Sequence, residues 1–332
     1  MLLIRVFLMV LLSCTSAQAA ELLVVNKSAD SVWRLALRDG SKTGEFRTGK
    51  GPHEIAVASH GRTALVSNYG RQTSGNSLSV LDLANGTPTR LIDLGEHGAP
   101  HGVHFLRGDE RAVVTTEGSA SLLVVNVESG RVEQVIQVGE GTGHMVALSP
   151  DGKTAYVTKI GAGTLSLIDL ESGRKTREVR AGKGAEGVAV RPDGREVWVS
   201  NRAEDTITVH DPATLAVKRR MSSSGFPIRV AFTPDGRHAV VTNASAAQLA
   251  VFDARSKLRV ATVELAEAGA QYRETMLGRA ALPIGVVMDP LQPRAYVAIS
   301  GADQLAVIDT QSWQVIDRWA TGREPDALGL VR

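Results

Sequence analysis

An all-β fold made of repeated four-stranded sheets is predicted by three observations. The first is the unit at residues 141–184. In it the runs 145–148, 155–158 and 164–169 are rich in residues that suit a pleated, half-buried surface, and 175–180 is a fourth, more polar run. Ser149-Pro150-Asp151-Gly152-Lys153 and Glu171-Ser172-Gly173-Arg174 separate runs, with Pro presetting φ and Gly accepting a positive one, as tight hairpin turns require. The second observation is recurrence. The middle strand returns as Leu65-Val66-Ser67-Asn68, Val113-Val114-Thr115-Thr116, Trp198-Val199-Ser200-Asn201, Val240-Val241-Thr242-Asn243 and Tyr296-Val297-Ala298-Ile299. The third strand returns as Ser79-Val80-Leu81-Asp82, Leu123-Val124-Val125-Asn126, Thr208-Val209-His210-Asp211, Ala250-Val251-Phe252-Asp253 and Ala306-Val307-Ile308-Asp309. The third is closure. Leu22-Leu23-Val24-Val25-Asn26 and Ser31-Val32-Trp33-Arg34-Leu35 begin a unit that lacks its opening strand, and Pro325 to Val331 supplies one at the other end. Six whole units and one shared unit, at about 45 residues each, predict a seven-bladed β-propeller with four-stranded blades. Its N-terminal and C-terminal segments share one blade, which pairs two strand edges that would otherwise lie open.

Taken in order, residues 1–20 stand apart as a secretory signal and 21–332 as the propeller. Arg5 gives a short positive start, 6–12 is an apolar core too short to span a membrane, and Ala17-Gln18-Ala19 fits a small-residue cleavage site. That predicts a periplasmic or secreted protein. The minor alternative is a lipoprotein acylated at Cys14, since Leu11-Leu12-Ser13-Cys14 loosely fits such a box. Cys14 is the one cysteine of the 332 residues. With the leader removed, disulfides, thiolate metal sites and cysteine nucleophiles are excluded. No later apolar run reaches the length of a membrane span. Lys and Arg number 37 against 35 Asp and Glu, without a basic stripe carrying interleaved aromatics, which argues against nucleic acid.

The residues that open the innermost strands align as His53, His101, His144, Glu186, Ile228, Ile284 and Asp326. In an up-and-down blade they should ring one mouth of the central channel, as a polar arc facing an apolar one. The connections between second and third strands open on the same face and bring Tyr69, Arg71, Glu117, Lys159 and Arg202. Residues 264–282 are longer than the repeat requires, carry Tyr272, Arg273, Glu274 and Arg279, and emerge where they could cover the mouth. The Asp that ends most third strands serves the blade, by bonding the backbone of the following turn. The Asp-Gly turns at 151, 193 and 235 lack the spaced acidic ligands of a calcium loop.

The pattern Ser-Pro-Asp-Gly-Lys, then Tyr-Val-Thr, then Ser-Leu-Ile-Asp at 149–169 resembles the YVTN-repeat (YncE-like) β-propellers of bacteria. The resemblance covers nearly the whole chain after the leader. It implies the propeller fold and leaves the function open, because propellers host unrelated jobs.

Three functions are weighed for the mouth. Imidazole and carboxylate suit copper or zinc, so His53, His101, His144 and Glu186, from four adjacent blades, form a candidate metal set. Gly51-Pro52-His53, Val66-Ser67-Asn68-Tyr69-Gly70 and Ala99-Pro100-His101 look like segments of the seven-bladed lactonase and muconate-cycloisomerase family. That resemblance implies a mouth histidine acting as general acid or base. The family's Arg-His pair is Gly143-His144 here and its Asn-Glu is Lys159-Ile160, so no catalytic residue is named. The favoured role is a monomeric binding or scaffold protein that docks a protein or small-molecule ligand on the loop face. The residues expected to do so are His53, His101, His144, Glu186, Asp326, Tyr69, Arg71, Arg202, Tyr272 and Arg273.

Overall fold

A computed structural model describes residues 20–86 and 89–332; the leader and Cys14 lie outside the described residues. The chain forms seven antiparallel four-stranded sheets. Six are continuous in sequence, at 52–93, 100–137, 143–180, 185–222, 227–264 and 283–320. The seventh orders Pro325–Val331, Glu21–Asn26, Ser31–Ala36 and Lys42–Arg47 from the channel outward, with Glu21 opposite Val331 and Leu22 opposite Leu330. The C-terminal strand thus closes the ring at the blade that the N-terminal segment begins. Among the described residues no helix is long and apolar enough to cross a membrane.

Alternation along the strands decides where the core lies. Middle strands bury side chains on both faces, because each blade is packed between two others, while outer strands such as Arg174–Arg180 are exposed and charged. Each junction between neighbouring blades has its own apolar cluster. Leu65 and Leu78 meet Val114 and Leu123 at one, and Leu249 and Val251 meet Val297 and Ile308 at another. The seam is packed likewise on both sides, with Leu23 and Val25 against Val66 and Leu22 and Val24 against Tyr296 and Leu305.

The turns follow the sequence reading. Asp169 accepts from the backbone N–H of Ser172 at 2.6 Å, and Asp211, Asp253 and Asp309 repeat the bond to Thr214, Ser256 and Ser312. Gly152 takes the left-handed conformation (φ 72°) that its hairpin needs.

One regularity is not visible in alternation. Every inner strand is irregular just after its opening residue: between Pro52 and Ile55 the inner strand advances three residues while its partner advances two. The same bulge recurs in the other blades, the seam included. A bulge re-aims side chains. In four blades a hydroxyl at the third position of the middle-strand motif fastens it. Thr115 accepts from Gly102 N–H at 2.9 Å and donates to His144 C=O at 2.5 Å in the next blade. Ser200 does the same for Gly187 and Ile228, and Thr242 for Arg229 and Ile284. Thr158 joins Met145 to Glu186. The inner strands pass so close that a Cβ on Gly187 would lie 2.2 Å from Ile228 O, and one on Gly285 2.0 Å from Asp326 O. Glycine is required at both.

Candidate functional site

Three stacked rings of residues, one per blade in each, build the mouth. The first is the set of strand-opening residues. His53, His101, His144, Glu186, Ile228, Ile284 and Asp326 all line a single cavity of about 310 Å³. The second follows the middle strands: Lys27, Tyr69, Glu117, Ile160, Arg202 and Ser300 line the same cavity. The third stands two residues before the first. Gly51, Ala99, Thr142, Gly184, Phe226, Leu282 and Glu324 all have positive φ, from 52° to 67°. For side chains as bulky as Thr, Phe and Leu this conformation is costly and marks a site the surrounding structure enforces. Of these, Thr142, Leu282 and Glu324 reach the cavity.

The polar arc is a continuous aromatic and charged chain. The His53 ring lies 4.6 Å from Tyr69 and 5.3 Å from His101, and His101 faces His144 at 3.7 Å. His144 donates through Nδ1 to Glu117 at 2.5 Å, and its Nε2 lies 3.6 Å from Glu186. Tyr69 donates to the other Glu117 oxygen at 2.7 Å. Glu186 also takes Arg202 at 2.7 Å and Arg229 at 3.4 Å. Arg229 reaches on to Glu54, so an ion pair between non-adjacent blades crosses the channel below the mouth. Both partners directly follow an opening residue, and the bulge is what turns them inward. The apolar arc is Ile228, Leu282 and Ile284, backed by Ala244.

Burial divides the ionisable groups. It lowers His144, but the hydrogen bonds to Glu117 and Glu186 outweigh it and hold this imidazole above its usual range. Burial pushes His101 well below that range, and the neighbouring His144 and His53 add to the effect. His53 is also lowered by burial. The cluster therefore favours the imidazolium form at His144 and the neutral ring at His101 and His53. Burial raises Glu54 against the pull of Arg229, and raises Tyr69 together with its bond to Glu117. Two buried polar atoms lack a partner at the cavity: Nδ1 of His101 and Oδ1 of Asp326, in residues only 3% and 4% exposed.

Four residues expected at the mouth are elsewhere. Arg71 turns outward to Asp30 at 2.8 Å, where solvent spares it the cost of burial. Tyr272 packs beside the cluster between the fifth and sixth blades, its hydroxyl accepting from Glu267 N–H at 2.9 Å. Arg273 pairs with Asp303. The long connection does reach the mouth, through Thr275, Met276 and Leu277. Lys159 is drawn into its blade by Glu178 at 2.7 Å. Sequence reasoning missed Lys27, Ser300, Glu54, Arg229 and Glu324. Lys27 and Ser300 occupy the place of Tyr69 in their blades, so extending that alignment across the seam would have found them.

The set His53, His101, His144 and Glu186 is gathered, but not as metal ligands. The His101 and His144 rings lie 3.7 Å apart at a 37° tilt, both nitrogens of His144 address carboxylates, and His53 Nδ1 donates to Gly51 C=O at 2.9 Å. Among the described residues no group of three or more His, Cys, Asp or Glu is placed to hold a metal ion.

The comparisons agree with the architecture. A propeller chain of Kuenenia stuttgartiensis hydrazine synthase superposes with a TM-score of 0.73 at 19% identity, covering 85% of this chain and 95% of that one. A protein of unknown function from Desulfotomaculum acetoxidans DSM 771 does so with a TM-score of 0.76 at 14% identity, covering 94% and 99%. At such identities the likeness is one of fold. No curated protein matches in sequence. The family model of the cytochrome D1 heme domain matches residues 107–328. That description implies a heme, and the mouth does not fit one. An axial imidazole needs a nitrogen aimed into a flat open slot. Here His101 is covered by His144, the floor is the Arg229 ion pair, Met276 and Leu277 stand above, and the volume is at the small end for ligand pockets. The sequence match over most of the chain nonetheless fixes the kinship: the chain belongs to the cytochrome D1 heme domain family.

Proposed function

We propose that this propeller is a monomeric, exported binding protein that takes a small molecule into its His-rich mouth, with the loop at 265–282 as a partial cover. We read its blades as the YVTN type. The single observation that carries the proposal is the unsatisfied pair of polar atoms, His101 Nδ1 and Asp326 Oδ1, buried at the cavity to which all seven blades contribute. A buried polar group without a partner costs roughly 1–3 kcal/mol. A ligand that bonds either group, with the small side-chain shift its burial requires, recovers that cost. The cavity is also divided, with imidazoles and carboxylates on one side and Ile228, Leu282 and Ile284 on the other. Small-molecule sites combine a few placed polar groups with apolar walls in this way.

Catalysis of the lactonase kind is less well supported. Arg229 offers the cation that the local sequence lacked, but Glu54 and Glu186 already neutralise it. A protein partner on the same face is separated from a small ligand by a thermal-shift experiment. Extract from the source cells is split by size, and each fraction is added to the parent protein and to an Ile284→Trp variant that fills the cavity. Stabilisation of the parent alone by the small-molecule fraction is expected. Stabilisation of both proteins by the macromolecular fraction alone would replace this reading with a docking platform.

A further inference from the structure

Resting on that reading of the mouth, we propose that the ligand is a small organic cation, a short aliphatic amine in its ammonium form. Its ammonium lies at Asp326 and its hydrocarbon against Ile284, Ile228 and Leu282. The free atoms at this part of the rim are acceptors. Asp326 Oδ1 has no partner, while its other oxygen is 3.7 Å from Lys27. His53, in the adjoining blade, has its tautomer fixed. Nδ1 must donate to Gly51 C=O, so a neutral ring leaves Nε2 a lone pair. Lys27 bridges Glu324 at 3.0 Å and Asp326 at 3.7 Å, and its nearer partner is Glu324.

Charge points the same way. The cavity wall and its direct ion-pair partners carry five carboxylates, Glu54, Glu117, Glu186, Glu324 and Asp326, against the fixed cations Lys27, Arg202 and Arg229. The carboxylates outnumber these cations by five to three, and His144 lies between two of them, Glu117 and Glu186. Buried charges are matched, and here the match is incomplete on the carboxylate side. An anionic ligand would meet that excess, whereas an ammonium cancels it. Asp326 stands next to Ile284 in the opening ring, where the polar arc gives way to the apolar one. A cationic head and a hydrocarbon body therefore suit adjacent walls. At about 310 Å³ the cavity is at the small end for ligand pockets, which suits a short chain.

Three probes of one shape and different heads test this by calorimetric titration: n-butylammonium, n-butanol and n-butyrate. Saturable binding of n-butylammonium is expected, with n-butanol at least about tenfold weaker and n-butyrate weaker still. Asp326→Asn should weaken n-butylammonium about tenfold or more. Glu324→Gln, which leaves Asp326 intact but frees Lys27 to pair with it, should weaken binding in the same direction; each variant is matched to the parent by circular dichroism. Binding of n-butanol or n-butyrate as tight as that of n-butylammonium overturns the cation assignment and leaves the small-molecule site standing. Absence of n-butylammonium binding, or binding unchanged in both folded variants, overturns the assignment as well, and the thermal-shift experiment then judges the site by itself.

Discussion

His101 and His144 are the same side chain at equivalent positions of neighbouring blades, yet the mouth shifts their titration in opposite directions. The two carboxylates around His144 favour its imidazolium, while the burial of His101 and the charge beside it keep that ring neutral. Both shifts link folding to pH, in opposite senses. From the ordinary value of 6.5 up to the raised value of His144 the native state holds the extra proton, so its stabilisation is lost as pH rises through that window. Below 6.5, down to the lowered value of His101, the unfolded chain holds the extra proton, so stability falls as pH falls. These groups place a stability maximum near pH 6.5, and Glu117→Gln should flatten its alkaline side. Urea unfolding from about pH 5 to about pH 9 measures both slopes, and an unchanged alkaline slope in the variant would contradict the assignment. Thr142 supports a second prediction. Its positive φ costs an L-residue about 1–2 kcal/mol, against roughly 0.5–1 kcal/mol for the extra backbone entropy of glycine. Thr142→Gly should therefore stabilise the fold by up to about 1 kcal/mol, although it removes a wall of the cavity. A lowered Tm would show that the side chain contributes more than its backbone costs. The opening ring was readable because each blade marks it with the same neighbours. Glu54 and Arg229 were not, because strict alternation sends them away from the channel and a bulge brings them back.

At the scale of the blade, the hydroxyl of the middle strand is the fastening between inner strands. It accepts one N–H of the bulge and donates to the carbonyl that follows in the next blade. Thr158→Val keeps shape and apolar contact but leaves Met145 N–H and Glu186 C=O short of a partner. A loss of about 1–3 kcal/mol is expected in denaturant unfolding. A loss below about 0.5 kcal/mol would mean that the bulge holds by packing alone. Turns, strand order and the Asp that caps most third strands were legible because they rest on local chemistry. The long connection was legible only in outline. Its ionic residue Arg273 is satisfied at the blade edge, whereas Thr275, Met276 and Leu277, which sequence gave no reason to single out, reach the mouth.

At the scale of the molecule, the ring is stable only if closed. Pro325–Val331 pairs with Glu21–Asn26 and contributes Ala327 and Val331 to one junction and Leu328 and Leu330 to the other. Deleting residues 325–332 exposes an inner strand edge and strips both junctions, and also removes Asp326. Loss of cooperative unfolding is expected, whereas a truncated chain with the parent's Tm would contradict closure by the seam. The same closure brings seven unlike residues to one cavity, and that is where the account of function stands or falls. The most direct measurement is mass spectrometry of small molecules released by denaturing the protein after exposure to extract of its source cells and extensive washing. About one equivalent of a small amine is predicted from the parent and none from Asp326→Asn. No retained molecule in the parent, or the same molecule retained equally by the variant, would contradict a binding site at the mouth.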